Sequence, residues 1–221
     1  MKLVIFDVDG TLVDSQSDII ASMSAAFGGV GLAVPGDAAI KGIVGLSLPV
    51  AMAQLAPAAP LAVQEAMVAG YKAAYNGLRQ INGAEGSPFF PGARAALERL
   101  AADPAVTLAV ATGKSRRGLD GLLAAHGLAG MFACTQVADD HPSKPHPSMI
   151  HACLRATGVA PGDAVMIGDT EFDIDMGRAA GIRTLGVGWG YHPRARLARA
   201  DAIIDDFAAL EAALAQIWER A

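Results

Sequence analysis

The sequence predicts an α/β fold: a parallel sheet flanked by helices, interrupted once by an all-helical insertion. Short apolar runs that end abruptly in polar residues alternate with helix-period segments along most of the chain. Such continuous apolar runs are typical of strands buried on both faces of a parallel sheet. The segment 15–86 lacks them, and its apolar residues recur at helical spacing instead.

The first candidate strand covers residues 3–6 and stops at an acidic cluster. Later candidates cover residues 106–111, 132–135, 164–167, 184–187 and 202–204, and 132–135 is the weakest. Between the candidates, apolar residues follow an i, i+3, i+4, i+7 pattern, as in the segment that begins after a candidate N-cap at Ser115. Strands alternating with helices of this length predict βαβ units.

The insertion follows the first strand directly. Its helical patterns centre on Met23 and Met67, and proline-rich turns separate them. The predicted organisation is therefore an α/β core of residues 1–14 and 87–221 and a helical cap of residues 15–86.

The composition of the chain excludes some classes of function. Hydrophobic residues make up 52% of the chain, which is enough for a buried core, and the net charge is −5. An acidic chain without a Lys/Arg run is poorly suited to nucleic acid, because phosphate contacts need clustered cations. The apolar run at the start stops at Asp7, and no stretch approaches ~18 apolar residues. We therefore expect a cytoplasmic protein that binds neither nucleic acid nor membranes.

Ligands of open α/β sheets bind at the carboxyl ends of the strands. After the first strand, Asp7 and Asp9 can project into one site, where one carboxylate serves as nucleophile and the other as general acid and base. Two carboxylates this close repel, so a cation must join them or one must hold a proton. Gly10 permits the tight turn. The alternative is an ordinary Asp-Gly-Thr turn that caps a helix.

Two further strand ends suit an anion. Thr112 and Gly113 offer a hydroxyl and backbone N–H groups at a helix start, although an ordinary Thr/Ser cap is the alternative. Lys144 precedes Pro145 at an expected helix start and can balance carboxylates as a point charge. The alternative for Lys144 is a solvated surface lysine.

The fourth strand end is acidic again. Asp169 ends a buried run and Asp173 lies four residues later, so on a helix both would share one face. Together with Asp7 they would form an oxygen cage suited to Mg²⁺. The alternative is a pair of helix N-terminal acids that complement the helix dipole.

The four motifs occur in the order Asp7-Val-Asp-Gly-Thr-Leu, Ala-Thr112-Gly-Lys, Lys144-Pro and Gly-Asp169-Thr-Glu-Phe-Asp173. In this order they resemble those of the haloacid dehalogenase superfamily, and in particular its phosphoglycolate phosphatase-like group. The resemblance covers the core almost end to end and fades across 15–86. It implies a Rossmann-like core with the cap inserted after the first strand.

The resemblance also implies roles. Asp7 would attack phosphorus and form an aspartyl-phosphate. Asp9 would protonate the leaving oxygen and then activate water, and its backbone carbonyl would touch the metal. The phosphate-binding set would comprise Asp9, Gly10, Thr112, Gly113 and Lys144. The Mg²⁺ ligands would be Asp7, Asp9, Asp169 and Asp173.

The expected activity is therefore Mg²⁺-dependent hydrolysis of a small phosphorylated metabolite, with phosphoglycolate as the leading candidate, by a monomer or homodimer. Asp9 argues against the dehalogenase and phosphonatase branches, which lack an Asp there. A β-phosphoglucomutase-like phosphotransferase and a catalytically silent phosphate-binding regulator are the alternatives. We expect Lys72 and Arg79 of the cap to be surface charges, with contact to a substrate carboxylate as the alternative, and Arg116 and Arg117 to lie on a helix exterior. We expect Tyr191 to lie in a mobile surface loop, with a position at the border of the active site as the alternative.

Overall fold

A computed structural model describes residues 1–219. The core is one sheet of parallel strands in the order β3-β2-β1-β4-β5-β6, which confirms the predicted fold class. The strands are β1 (Lys2–Phe6), β2 (Val106–Thr112), β3 (Cys134–Val137), β4 (Ala164–Gly168), β5 (Arg183–Val187) and β6 (Ala202–Ile204). The strand order reverses at β1, and such a switch point opens a crevice at the carboxyl ends of the strands.

The helices of the chain fall into two groups. The insertion contributes α1 (Gln16–Gly29), α2 (Asp37–Lys41), α3 (Leu48–Leu55) and α4 (Leu61–Asn82). The core contributes α5 (Ala93–Ala102), α6 (Arg116–Ala125), α7 (Ser148–Thr157), α8 (Glu171–Ala179) and α9 (Leu210–Glu219). Within residues 1–219, no helix combines the length and the apolar character needed to cross a membrane.

Strand β1 is buried on both faces from residue 3 to residue 6, which explains the apolar run there. Val4 and Phe6 pack with Leu97 of α5 in one hydrophobic cluster. Leu3 and Ile5 face the other way and pack in a second cluster with residues of α7 and α8. Successive side chains of a strand alternate between faces, so helices on both sides must cover β1.

The cap has a hydrophobic cluster of its own. Met23 and Phe27 of α1 pack there with Met67 of α4, together with residues of the short helices α2 and α3. The cap lies against the carboxyl ends of the strands: the Ser47 amide donates to Ser143 Oγ at 2.9 Å. A Cβ atom on Gly113 would lie 2.5 Å from the Gly45 carbonyl oxygen, so only glycine permits this approach. The domain boundaries themselves stay a prediction.

Two local predictions are wrong. Strand β3 covers Cys134–Val137 and not 132–135, because its parallel pairing with β2 starts at Cys134 opposite Ala109. Helix α7 starts at Ser148 and not at Lys144. Residues that precede proline are disfavoured in helical conformation, and this applies to Lys144 and to His146.

We predict that Gly113→Ala displaces the cap, because the added methyl group would meet the backbone of Gly45. Small-angle scattering of the variant should show a larger radius of gyration than that of the wild type. Gly121→Ala is the matched control, because its methyl group would meet the Arg79 side chain at an ordinary 3.7 Å. Identical scattering from both variants would contradict the contact.

Candidate active site

Asp7 and Lys144 form the buried centre of the site. Asp7 follows β1 and is 1% exposed, and the Lys144 side chain is fully buried. The Lys144 ammonium lies 3.1 Å from Asp7 Oδ1 and donates to Asp173 Oδ1 at 2.6 Å. Within the described residues, neither carboxylate oxygen of Asp7 has a partner with hydrogen-bond geometry, so the contact with Lys144 is an ion pair only.

The two acids of the fourth motif, Asp169 and Asp173, are held in place by different hydrogen bonds. Thr11 Oγ1 and the Tyr191 amide donate to the two oxygens of Asp169, at 2.9 and 2.8 Å. Asp173 forms a capping box with Thr170, whose hydroxyl donates to Asp173 Oδ2 at 2.6 Å. One oxygen from each of Asp7, Asp169 and Asp173 lies within 4.8 Å of the others.

The predicted convergence of Asp169 and Asp173 is therefore present, but the predicted reason for it is wrong. Asp169 precedes α8 and Asp173 is its third residue, so the pair does not share a helix face. Gly10 makes room for the cluster: its φ is +83°, and a Cβ atom there would lie 2.2 Å from Asp169 Oδ2. Gly10 thus contacts the acidic cluster itself.

Burial and mutual repulsion disfavour the ionised forms of Asp7 and Asp169. Burial raises the pKa of Asp7 from 3.8 to about 7; Lys144 opposes the rise, and Asp173 and Asp9 add to it. Burial, with Asp173 and Asp7 nearby, raises the pKa of Asp169 well above its ordinary value. One ammonium group cannot neutralise the three carboxylates. Their hard oxygen atoms and the unpartnered oxygens of Asp7 fit a divalent cation such as Mg²⁺.

The carboxylate of Asp9 lies apart from that cluster and faces the cap. Lys114 Nζ donates to its two oxygens at 2.8 and 2.9 Å, and Ser15 Oγ donates to Oδ1 at 2.5 Å. Lys114 also donates to the Tyr75 hydroxyl of α4 at 2.8 Å. The metal contact that we expect of Asp9 is through its backbone carbonyl, and it stays a prediction.

A cavity of about 380 Å³, the cap cavity, lies between the strand ends and the cap. Asp7, Asp9, Thr112 and Gly113 line it, so the structure brings the expected nucleophile and anion seat together. Thr112 ends β2 and is buried, and its hydroxyl accepts from the Lys114 amide at 3.3 Å.

Sequence reasoning missed several side chains of the site. Lys114, two residues after Thr112, binds the Asp9 carboxylate. The number of acidic residues predicted at the site could have indicated that a second cation beside Lys144 is needed. Tyr191 was expected in a mobile surface loop, which is wrong: its amide binds Asp169 and its hydroxyl accepts from the Ser15 amide at 2.9 Å. Nothing local in the sequence connects Tyr75 with this site.

Fold and site together define a class of protein: α/β proteins with an acidic centre at the carboxyl ends of parallel strands, covered by a helical cap. The chain belongs to the family of haloacid dehalogenase-like hydrolases, whose family model matches residues 4–187.

Relatives match over nearly the whole chain. A protein of Dickeya dadantii named "Probable phosphatase IndB" is 35% identical over 211 residues, 93% of this chain and 90% of that protein. A phosphoglycolate phosphatase of Rhodospirillum rubrum is 32% identical over 95% of this chain and 89% of its own length. A haloacid dehalogenase-like family hydrolase from Streptococcus pneumoniae has a similar structure, with a TM-score of 0.82, 26% identity, and coverage of 96% and 97% of the two chains.

We predict that Asp7→Asn stabilises the metal-free protein at pH 8. The folded-state pKa of Asp7 is raised, so its contribution to stability is present below the ordinary value of 3.8 and is lost as the pH rises towards about 7. In EDTA at pH 8 the variant should melt at least ~3 °C above the wild type, and at pH 5 the difference should shrink. The exposed Asp37→Asn is the control and should show no such pH-dependent difference. A pH-independent difference for Asp7→Asn would contradict the assigned cause.

Proposed function

We propose that this chain is a Mg²⁺-dependent phosphatase that hydrolyses a phosphate monoester of a small metabolite through an aspartyl-phosphate on Asp7. One observation carries the proposal: Asp7 lines the cap cavity beside a buried lysine and two further acids, and among residues 1–219 neither of its carboxylate oxygens has a hydrogen-bond partner. A carboxylate that is held in place but not hydrogen-bonded is available as a nucleophile.

Asp7, Asp169 and Asp173 would hold the metal ion, with the backbone carbonyl of Asp9. When bound, Mg²⁺ would supply positive charge for the phosphoryl oxygens and relieve the repulsion among the acids. The chain's own cations add to this, because the Lys144 ammonium already lies between Asp7 and Asp173. Thr112 and the Gly113 amide, on the wall of the cap cavity, would hold phosphoryl oxygens.

The chemistry would run in two displacements. An oxygen of Asp7 attacks phosphorus, the P–O bond to the leaving group breaks, and the leaving oxygen takes a proton from Asp9. Asp9 then takes a proton from water, the water oxygen attacks the aspartyl-phosphate, and phosphate leaves Asp7. Lys114 and Ser15 hold the Asp9 carboxylate at the cavity wall, which is where a proton donor to the leaving group has to lie.

Phosphoglycolate is the first substrate to assay, because relatives such as the Rhodospirillum rubrum protein carry the name phosphoglycolate phosphatase. The relative from Dickeya dadantii is named only as a phosphatase, without a substrate.

The expected effect of Asp7→Asn is loss of turnover by a factor of ~10³ or more, because an amide is not a competent nucleophile. Hydrolysis of 4-nitrophenyl phosphate with Mg²⁺ measures this, and EDTA should abolish the activity of the wild type. Asp37→Asn should retain it. Activity that survives both EDTA and Asp7→Asn would refute the mechanism.

Asp9→Asn should separate the two displacements. 4-Nitrophenol leaves without help from an acid, so the variant should still release it once per active site. It should then stall, because water is not activated. Stopped-flow absorbance should show a burst of about one equivalent followed by a slow phase. Uniform slowing without a burst would assign Asp9 to the first step alone.

Assays with a sugar phosphate and with a wider set of phosphate esters separate the alternatives. A β-phosphoglucomutase-like enzyme would convert a sugar phosphate into its isomer without lasting release of phosphate. A regulatory protein would bind phosphate esters and turn none of them over.

A further inference from the structure

The cap cavity has two chemically different ends. Its floor holds Asp7 and Thr112, whereas most of the cap residues that line it are apolar, among them Ile19, Met23 and Val44. Tyr71 and Tyr75 of α4 also line it, with their rings 5.8 Å apart and inclined by only 11°. A leaving group that extends from a phosphate on the floor would therefore lie against carbon and aromatic faces.

The cations that line the cavity either have partners already or are exposed to solvent. Lys114 is buried and is bound to Asp9 and Tyr75. Lys72 lies 4.0 Å from Asp139, and both side chains are nearly half exposed. Arg117 is exposed and lines the mouth, where the described residues give it no ion pair.

A carboxylate directly beside the ester oxygen would therefore lose its hydration without gaining an ionic partner. Such a loss is costly unless a cation or several donors replace the water. The wall suits an uncharged group, and polar atoms further out would meet Lys72, Asn76 and Arg117 at the mouth. The volume of about 380 Å³ also falls in the range of cavities that enclose ligands much larger than a two-carbon acid.

We propose, on the basis of the phosphatase function above, that the cap cavity selects phosphate monoesters whose leaving group is uncharged next to the ester oxygen and carries a ring. The ring packs against the apolar cap wall and the paired tyrosines. By this assignment phosphoglycolate, with its charged two-carbon leaving group, is a poor substrate of this chain.

Three synthetic esters of primary alcohols test the proposal: cyclohexylmethyl phosphate, ethyl phosphate and phosphoglycolate. We expect kcat/KM to be at least tenfold higher for cyclohexylmethyl phosphate than for ethyl phosphate, and lowest for phosphoglycolate. If phosphoglycolate is the best of the three, the proposal is overturned and the phosphatase function stands. If none is hydrolysed with Mg²⁺ present, and 4-nitrophenyl phosphate is not either, the phosphatase function itself fails.

Val44→Phe fills part of the cavity wall, and Val50→Phe makes the same change on the exposed face of α3. For Val44→Phe, the ratio of kcat/KM for cyclohexylmethyl phosphate to that for ethyl phosphate should fall at least tenfold. For Val50→Phe it should not change. Equal losses on both esters in a Val44→Phe protein with wild-type melting temperature would overturn the proposal.

Leu48→Lys provides a complementary test that does not require the cavity wall to accommodate an added phenylalanine ring. Leu48 is a partly buried residue of the cavity wall, so a lysine there would add a cation to the apolar part of the wall. The ratio of kcat/KM for phosphoglycolate to that for ethyl phosphate should rise at least fivefold. A ratio that falls in this folded variant would count against the apolar wall as the cause of selection.

Discussion

Three buried carboxylates lie close together, a buried ammonium group pairs with two of them, and much of the core is arranged to hold them in place. Charges removed from water are costly unless ion pairs and hydrogen bonds compensate. Strand β1 pairs with β4, which brings the strand ends at Asp7 and Asp169 side by side. The capping box of α8 positions Asp173 beside these two acids, and Lys144, in the loop before α7, donates a hydrogen bond to Asp173. The rigid sheet thus opposes a repulsion that would otherwise separate the acids.

A second ionic contact connects this centre with the cap. Lys114 binds Asp9 on one side and the Tyr75 hydroxyl of α4 on the other, so core and cap meet through a buried cation. Ser15 reinforces the junction, because its hydroxyl binds Asp9 and its amide binds Tyr191. The cap therefore contributes polar contacts at the site as well as an apolar wall above it.

The sequence predicted what depends on local pattern. The run at residues 3–6 identified β1 because each of its side chains must be apolar, and the polar residues that follow such runs identified the site. Contacts between distant segments carried no such signal. Tyr75 is 39 residues from Lys114, and Tyr191 is 176 residues from Ser15. The position of Asp173 near Asp169 depends on a capping box, and the i, i+4 spacing used in the sequence argument does not reveal one.

The position of β1 in the middle of the sheet has a consequence for how the protein is made. The helices of the insertion end at Asn82, and their hydrophobic cluster draws mainly on residues already synthesised at that point. Strand β1 precedes the insertion in the chain, yet its two neighbours in the sheet, β2 and β4, start only at Val106 and Ala164. Local contacts form faster than distant ones. We therefore expect the cap to assemble while both edges of the first strand are still unpaired, a state in which this apolar strand is open to wrong partners.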